Sequence, residues 1–150
     1  MKRDLRIERV YPHPVALVWG ALTDPKEIAQ WLMPTDFLPI VGHTFTFRTD
    51  AAPSFDGIVR CTVLEVVPER RLSYAWRGGT AQRQLVDTVV TFTLAPVAAG
   101  TRLVLEHTGF SGIRGFLVSM ILGSGWKSSI LRTRLPATLQ RLAAERSAEP

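Results

Sequence analysis

The chain has 150 residues, of which 46% are hydrophobic and 21% charged, so we predict one globular domain over 1–150 and exclude a disordered chain. One cysteine and the three histidines His13, His43 and His107 exclude an intramolecular disulfide and disfavour a metal centre, and we predict no metal and no cofactor. The net charge is +5, but the arginines are spread from Arg3 to Arg146, which disfavours nucleic acid as a partner.

The beginning of the chain alternates polar and apolar residues and lacks the apolar run of about 7–15 residues that marks a secretory signal. The uncharged, apolar stretch from Gly115 to Trp126 is shorter than the ~20 residues of a membrane span. We therefore expect no transmembrane segment and a cytoplasmic location.

The first third of the chain predicts one strand and two short helices. Leu5–Val10 has the period of two that is typical of a strand, and Pro12 ends it. Pro14 suits the first turn of a helix, and Thr23–Pro25 suits the start of a second one. The buried positions of these two helices are predicted to be Val15, Val18, Trp19, Leu22, Ile28, Trp31 and Leu32.

The middle of the chain has a period of two in five successive segments separated by short turns. These strands are predicted around Thr44–Phe47, Ile58–Val67, Leu72–Arg77, Gln84–Leu94 and Arg102–Thr108, with a turn at Pro96–Gly100. Short turns between consecutive strands favour an antiparallel meander.

The last third predicts a long helix with one apolar stripe, formed by Leu131, Leu135, Leu139 and Leu142. Pro136 lies within that stripe and predicts a kink or a break. The whole order predicts an α+β protein, in which a curved antiparallel sheet of six to seven strands wraps around the C-terminal helix.

Several short motifs follow one another along the chain: Val18–Pro25, Trp31, Val41–Gly42, Val66–Leu72, Trp76, Gly100–Leu103, His107–Phe110 and Gly125–Trp126. In this order they resemble the Hsp90 ATPase activator homologue 1-like (AHSA1-like) branch of the SRPBCC, START or Bet v 1-like superfamily, over about residues 5–143. The resemblance implies a helix-grip fold with an internal hydrophobic cavity, and it suggests a stress-response role with an Hsp90-like chaperone as partner. The chain departs from the family in its apolar stretch Gly112–Ser124 and in Pro136.

No set of catalytic residues is recognisable, and we assign no catalytic residue. His107 is the best candidate for general acid–base chemistry, because it shares a strand face with Leu103 and Leu105. A lone histidine on an apolar face is more typical of a hydrogen-bonded core residue. The glycine-rich segment Gly109–Gly115 follows no βαβ pattern and lacks the lysine of a phosphate-binding loop.

The stronger functional interpretation is a site for a small apolar ligand between the sheet and the long helix. Its candidate lining residues are Trp31, Phe45, Tyr74, Trp76, Phe92, His107, Phe110, Trp126 and Ile130. The alternative is that these side chains fill the core. If a cavity exists, Tyr74 and His107 are its orienting polar groups.

The apolar segment Phe116–Leu122 has four interpretations: a buried extension of the long helix, a lid over the cavity, a homodimer face, or a membrane-surface anchor beside Arg114 and Lys127. For the protein as a whole the leading hypothesis is small-molecule binding without catalysis. The alternatives are a co-chaperone-like contact with Hsp90 and an enzyme resembling polyketide cyclases and aromatases.

Overall fold

The computed structural model describes residues 4–148, and for residues 113–117 and 148 it describes the backbone alone. Six antiparallel strands form one sheet in the order β1-β6-β5-β4-β3-β2. The strands are β1 (Leu5–Tyr11), β2 (Thr44–Arg48), β3 (Ile58–Val67), β4 (Arg71–Gly79), β5 (Gln84–Val97) and β6 (Gly100–Thr108). This sheet, with short helices after β1 and a long helical segment at the end, confirms the predicted α+β helix-grip architecture.

Two short helices, α1 (Val15–Thr23) and α2 (Pro25–Trp31), connect β1 to β2. The Asp24 carboxylate accepts a hydrogen bond of 2.9 Å from the Lys26 N–H at the start of α2, as the Asp-Pro pair predicted. The C-terminal segment consists of α3 (Gly112–Ser124), a π-helix at Gly125–Arg134, here called the π segment, and α4 (Leu135–Ala148). Within residues 4–148 no helix is long and apolar enough to cross a membrane.

Strand β5 continues to Val97, beyond the turn that was predicted to start at Pro96. The Leu94 N–H donates to the Arg70 carbonyl, so it points toward the β4 side of the strand. The backbone nitrogen of Pro96 points to the same side of β5 as that of Leu94, because the two residues are two positions apart. On that side Pro96 has no β4 residue opposite it, since the β4–β5 ladder ends at Thr93. A proline is tolerated at this place because no ladder hydrogen bond is lost there.

The core lies between the concave face of the sheet and the helices. Alternate residues of the central strands point toward it, and consecutive strands place them opposite one another: Leu72 pairs with Phe92, Tyr74 with Val90, and Phe92 with Leu105. From the helical side, the leucine stripe enters the same core at Leu131, Leu135 and Leu139, all of which are fully buried, while Leu142 is half-buried.

The sequence predicted a kink or a break at Pro136, and the structure places this proline in the first turn of α4, two residues after the π segment ends at Arg134. In a π-helix the N–H of residue i donates to the carbonyl of residue i−5, as Leu135 does to Ile130. The next such donor, to the Leu131 carbonyl, would be residue 136, and proline has no N–H. The Tyr11 hydroxyl on β1 donates to that buried carbonyl instead, at 2.7 Å.

The Tyr11–Leu131 hydrogen bond leads to a prediction about stability. Replacing Tyr11 by Phe leaves the Leu131 carbonyl without this donor and is expected to lower the free energy of unfolding by about 1–3 kcal/mol. In a Pro136→Ala background, residue 136 regains an N–H, and we expect the same Tyr11→Phe change to cost less. Urea unfolding of the four proteins of this double-mutant cycle measures the difference; equal costs in both backgrounds would contradict the assignment.

Candidate functional site

The structure gathers the predicted lining residues on the inner face of the sheet and the helices that cover it. Eight of the nine are buried, and the ninth, Ile130, is half-buried and packs against the core. They come from six elements and one connection: α2 contributes Trp31, β2 Phe45, β4 Tyr74 and Trp76, β5 Phe92, β6 His107, the β6–α3 connection Phe110, and the π segment Trp126 and Ile130.

The aromatic rings of this face contact one another in a continuous series. The ring centroids of Phe45 and Tyr74 are 5.3 Å apart, those of Tyr74 and Phe92 6.1 Å, and those of Phe92 and Trp126 6.0 Å. Trp126 also lies 5.8 Å from Trp76. The arrangement is a contiguous aromatic surface that runs from β2 to the π segment.

Sequence reasoning missed two rings of this surface. Phe37, in the connection between α2 and β2, lies 5.1 Å from Phe45, and Phe47 lies 5.4 Å from Trp76. The alternation that selected Phe45 applies equally to Phe47, so the sequence carried that signal. Phe37 lies in an irregular connection, where periodicity gives no indication of which residues are buried.

His107 is the centre of a buried hydrogen-bonded chain. The Trp126 indole Nε1–H donates to His107 Nδ1 at 3.2 Å, and His107 Nε2 lies 2.7 Å from the Thr88 hydroxyl. That hydroxyl donates its own proton to the Trp76 carbonyl at 3.0 Å. His107 Nε2 must therefore be the donor to Thr88, which fixes the imidazole as the neutral Nε2–H tautomer. Thr88 was not predicted, although it lies on the same β5 face as Val90.

Both ring nitrogens of His107 are thus occupied by protein partners. Burial lowers the pKa of His107 from 6.5 to about 3, because the charged imidazolium would be desolvated. The ring is neutral at physiological pH, and an acid–base role would require one of its two hydrogen bonds to break. This geometry is that of a hydrogen-bonded core histidine.

The Tyr74 hydroxyl, unlike the ring nitrogens of His107, has no hydrogen-bond partner among the described residues. The ring of Tyr74 lies among those of Phe37, Phe45, Phe47 and Phe92. Because none of the fully buried polar side-chain atoms of the described residues lacks a partner, this hydroxyl keeps a small contact with solvent. Burial raises the pKa of Tyr74 well above its usual value, so the hydroxyl keeps its proton.

A cleft at one end of β5 and β6 leads toward this aromatic surface. It encloses about 140 Å³ and is lined by residues 84–88 and 109–111. Thr88 and Phe110 belong to this lining, and both also contact His107, with the Phe110 ring 4.6 Å from the imidazole. Phe110 therefore separates the cleft from the His107 end of the aromatic surface.

The apolar segment Phe116–Leu122 lies in α3, the helix that begins directly after Ser111 of the cleft lining. The side chains of 116 and 117 fall outside the described residues. Of the remainder, Met120 and Ile121 are 49% and 72% exposed, whereas Val118 and Leu122 are half-buried and pack against the core. The interpretation as a wholly buried extension of the helix is therefore wrong at Met120 and Ile121, because a single α-helix cannot turn every side chain toward one core.

Comparison with known proteins identifies the family. Residues 12–140 match the family described as activator of Hsp90 ATPase homolog 1-like protein. The match covers most of the chain, so the protein belongs to this family, as its motifs indicated. No curated protein matches the chain.

Solved structures share the fold over nearly the whole chain. Protein MLL2253 from Mesorhizobium loti is 34% identical, with 95% of this chain and 98% of that chain covered and a TM-score of 0.77. CalU16 from Micromonospora echinospora is 26% identical, with coverages of 97% and 83% and a TM-score of 0.70. DynU16, described as a putative protein in the dynemicin biosynthetic locus, is also 26% identical at a TM-score of 0.70, with coverages of 91% and 47%.

The His107 geometry predicts a loss of stability in acid. The unfolded chain binds a proton at His107 near pH 6.5 and the folded protein only near pH 3, so stability is fully present above pH 6.5 and is lost as the pH falls below it. We expect this residue to lower the free energy of unfolding by about 2 kcal/mol between pH 8 and pH 5. Urea unfolding at both pH values measures the loss, and a His107→Phe variant should lack that part of it.

Nuclear magnetic resonance provides a second readout that does not depend on a folded variant. The ring nitrogens of His107 should keep the chemical shifts of the neutral Nε2–H tautomer at pH 5. Protonation of His107 in the folded protein above pH 5 would contradict the prediction. The other two histidines of the chain, His13 and His43, are half-buried, and their ring signals are assigned beside those of His107.

Proposed function

We propose that the protein binds a small, uncharged and largely apolar molecule between the inner face of the sheet and the C-terminal helical segment. The observation that carries the proposal is the contiguous aromatic surface, in which the Tyr74 hydroxyl has no protein partner among the described residues. Ligand sites are typically apolar surfaces with a few polar groups that fix orientation.

The charge of the interior supports an uncharged ligand. The buried polar side chains of the described residues are Ser73, Thr88, Thr91, Thr101, His107, Ser119 and Thr138, all of which are neutral here. A charged ligand would be desolvated beside them without a counter-charge, which costs several kcal/mol or more. An uncharged ring system with one hydroxyl or carbonyl fits both the aromatic surface and Tyr74.

Access for such a ligand is proposed at the cleft between Gln84–Thr88 and Gly109–Ser111. Phe110 lies between this cleft and His107, so a ligand that enters here must displace the Phe110 ring. Phe110 adjoins Ser111, directly before α3, so a shift of α3 away from the sheet would carry Phe110 with it. The connection is thus well placed to serve as the gate of the site.

The relatives also support small-molecule binding. DynU16 takes its description from a biosynthetic locus, and a protein encoded in such a locus is expected to meet small molecules. His107 is not proposed as a catalytic residue, since both of its nitrogens already have partners. The proposal is therefore a binding protein, with the polyketide cyclase-like enzyme as the alternative that requires a different acid–base group.

The two tyrosines of the chain allow a sharp test. Tyr74→Phe removes a hydroxyl without a protein partner, so we expect unchanged stability and an affinity for 2-naphthol about five- to tenfold weaker, the equivalent of one net hydrogen bond. Tyr11→Phe should lower stability and leave the affinity unchanged. Titration followed by tryptophan fluorescence measures binding, and urea unfolding measures stability.

The same titration also tests whether the ligand must be uncharged. At neutral pH 2-naphthoate has the same rings as 2-naphthol and a negative charge, and it should bind more weakly by at least tenfold. Native mass spectrometry of the freshly purified protein, beside a denatured sample, shows whether a molecule is already held. Equal affinities for the two probes, or for wild type and Tyr74→Phe, would refute the proposed site.

The family description supports a second proposal, a contact with an Hsp90-like chaperone. Its test is the ATPase rate of purified Hsp90 with and without this protein. A rate that rises with the concentration of the protein supports this role. An unchanged rate, together with no co-sedimentation of the protein with Hsp90, excludes it.

A further inference from the structure

The two edges of the sheet differ in whether another part of the chain covers them. The β2 edge is covered by the connection that follows α2: Thr35 pairs with Phe47, and the Arg48 N–H donates to the Pro34 carbonyl at 3.1 Å. The Thr46 N–H donates to the Asp36 carboxylate at 2.8 Å. Strand β1 ends the sheet on the other side, and β6 is its one strand partner within residues 4–148. Its outer backbone groups form an open edge.

A groove of about 520 Å³ runs beside this open edge. On the β1 side it is lined by four consecutive residues, Asp4, Leu5, Arg6 and Ile7. Because successive side chains of a strand point to opposite faces, a groove lined by consecutive residues must follow the edge of the strand and not one face. Its length along β1 is about 13 Å, the rise of four extended residues.

The opposite wall of the groove is helical and carries small side chains. Gly123 lies close to β1, and a Cβ atom at this position would be 3.2 Å from a methyl group of Leu5. The helix therefore packs directly on Leu5 here and forms the floor of the groove. Beyond that floor the wall contains Ser124 and Ser128, and Met120 adds an apolar contact. The small side chains of this wall leave the groove open beside the strand edge.

The charged groups at the groove favour an acidic occupant. Arg6 and Lys127 line it from opposite walls, and the Arg6 side chain, which is 61% exposed, also pairs with the Glu8 carboxylate at 3.6 Å. The third charged lining residue, Asp4, accepts a hydrogen bond of 3.0 Å from the Gly109 N–H. The Arg6–Glu8 pair is exposed to water and therefore weak, and Lys127 has no ion pair among the described residues, so both cations can attract an anionic occupant.

We propose that this groove binds an extended segment of a partner protein, which adds to β1 as a further strand and alternates apolar with acidic residues. The backbone of the segment pairs with the open edge of β1. Its apolar side chains pack on Leu5, Ile7 and Met120, and its carboxylates face Arg6 and Lys127. This surface is separate from the aromatic inner face and does not depend on the proposed ligand.

The test uses the full-length protein and a fluorescein-labelled eight-residue peptide of alternating valine and glutamate. We expect saturable binding in fluorescence anisotropy. The same peptide with N-methyl groups on all its residues keeps every side chain but has no backbone N–H to donate to the β1 edge, and it should bind at least tenfold more weakly. Hydrogen exchange should show slower exchange of β1 amides when the unmodified peptide is bound.

Substitutions in the groove have matched controls elsewhere on the surface. Ser124→Trp should block the groove and weaken binding at least tenfold, whereas Ser129→Trp, on an exposed residue of the π segment outside the groove, should not. Lys127→Glu should weaken binding about five- to tenfold, and Lys26→Glu on α2 should not.

Three results would overturn the proposal. One is equal binding of the methylated and unmethylated peptides, which would indicate an attraction by charge alone. Another is binding that Ser124→Trp leaves intact. The third is a concentration-dependent dimer of the protein in sedimentation that Ser124→Trp abolishes, since the occupant would then be a second copy of β1.

Discussion

The hydrogen bond from the Trp126 indole to His107 joins the helical half of the molecule to the sheet at its most buried point. A buried imidazole needs a partner for each nitrogen, and here one comes from the π segment and the other from Thr88 on β5. This requirement fixes the rotation of the π segment relative to the sheet. The contacts of Trp126 with Trp76 and Phe92 follow from that rotation, and with them the continuity of the aromatic surface.

Strand β1 supports the same helical segment from the edge of the sheet. Pro136 cannot supply the donor that the π-helical pattern requires for the Leu131 carbonyl, and the Tyr11 hydroxyl takes its place. Further along β1, Leu5 lies against Gly123 of α3. The strand is therefore held by β6 on one side and by the helices above it, while its outer edge stays open beside the groove.

The two surfaces of the molecule differ in their electrostatics and hence in the partners they suit. The inner face holds neutral polar groups among aromatic rings, an environment in which a charge loses its hydration without compensation. The β1 groove is open to water and has Arg6 and Lys127 on its walls, so an anionic partner keeps part of its hydration and gains attraction. The two proposed sites are separate, so occupancy of one would not block the other.

The sequence by itself determined the element order and the antiparallel sheet, because alternation and capping are local properties that tertiary packing did not override. Its short motifs, taken in order, indicated the family. It did not determine that Phe37 joins the aromatic rings, that Thr88 bonds to His107, or that Tyr11 compensates for Pro136. Those contacts join residues distant along the chain, and local periodicity carries no information about such pairs. Only the tertiary structure decided them, since a buried polar atom takes whichever partner the packed fold brings within hydrogen-bond distance.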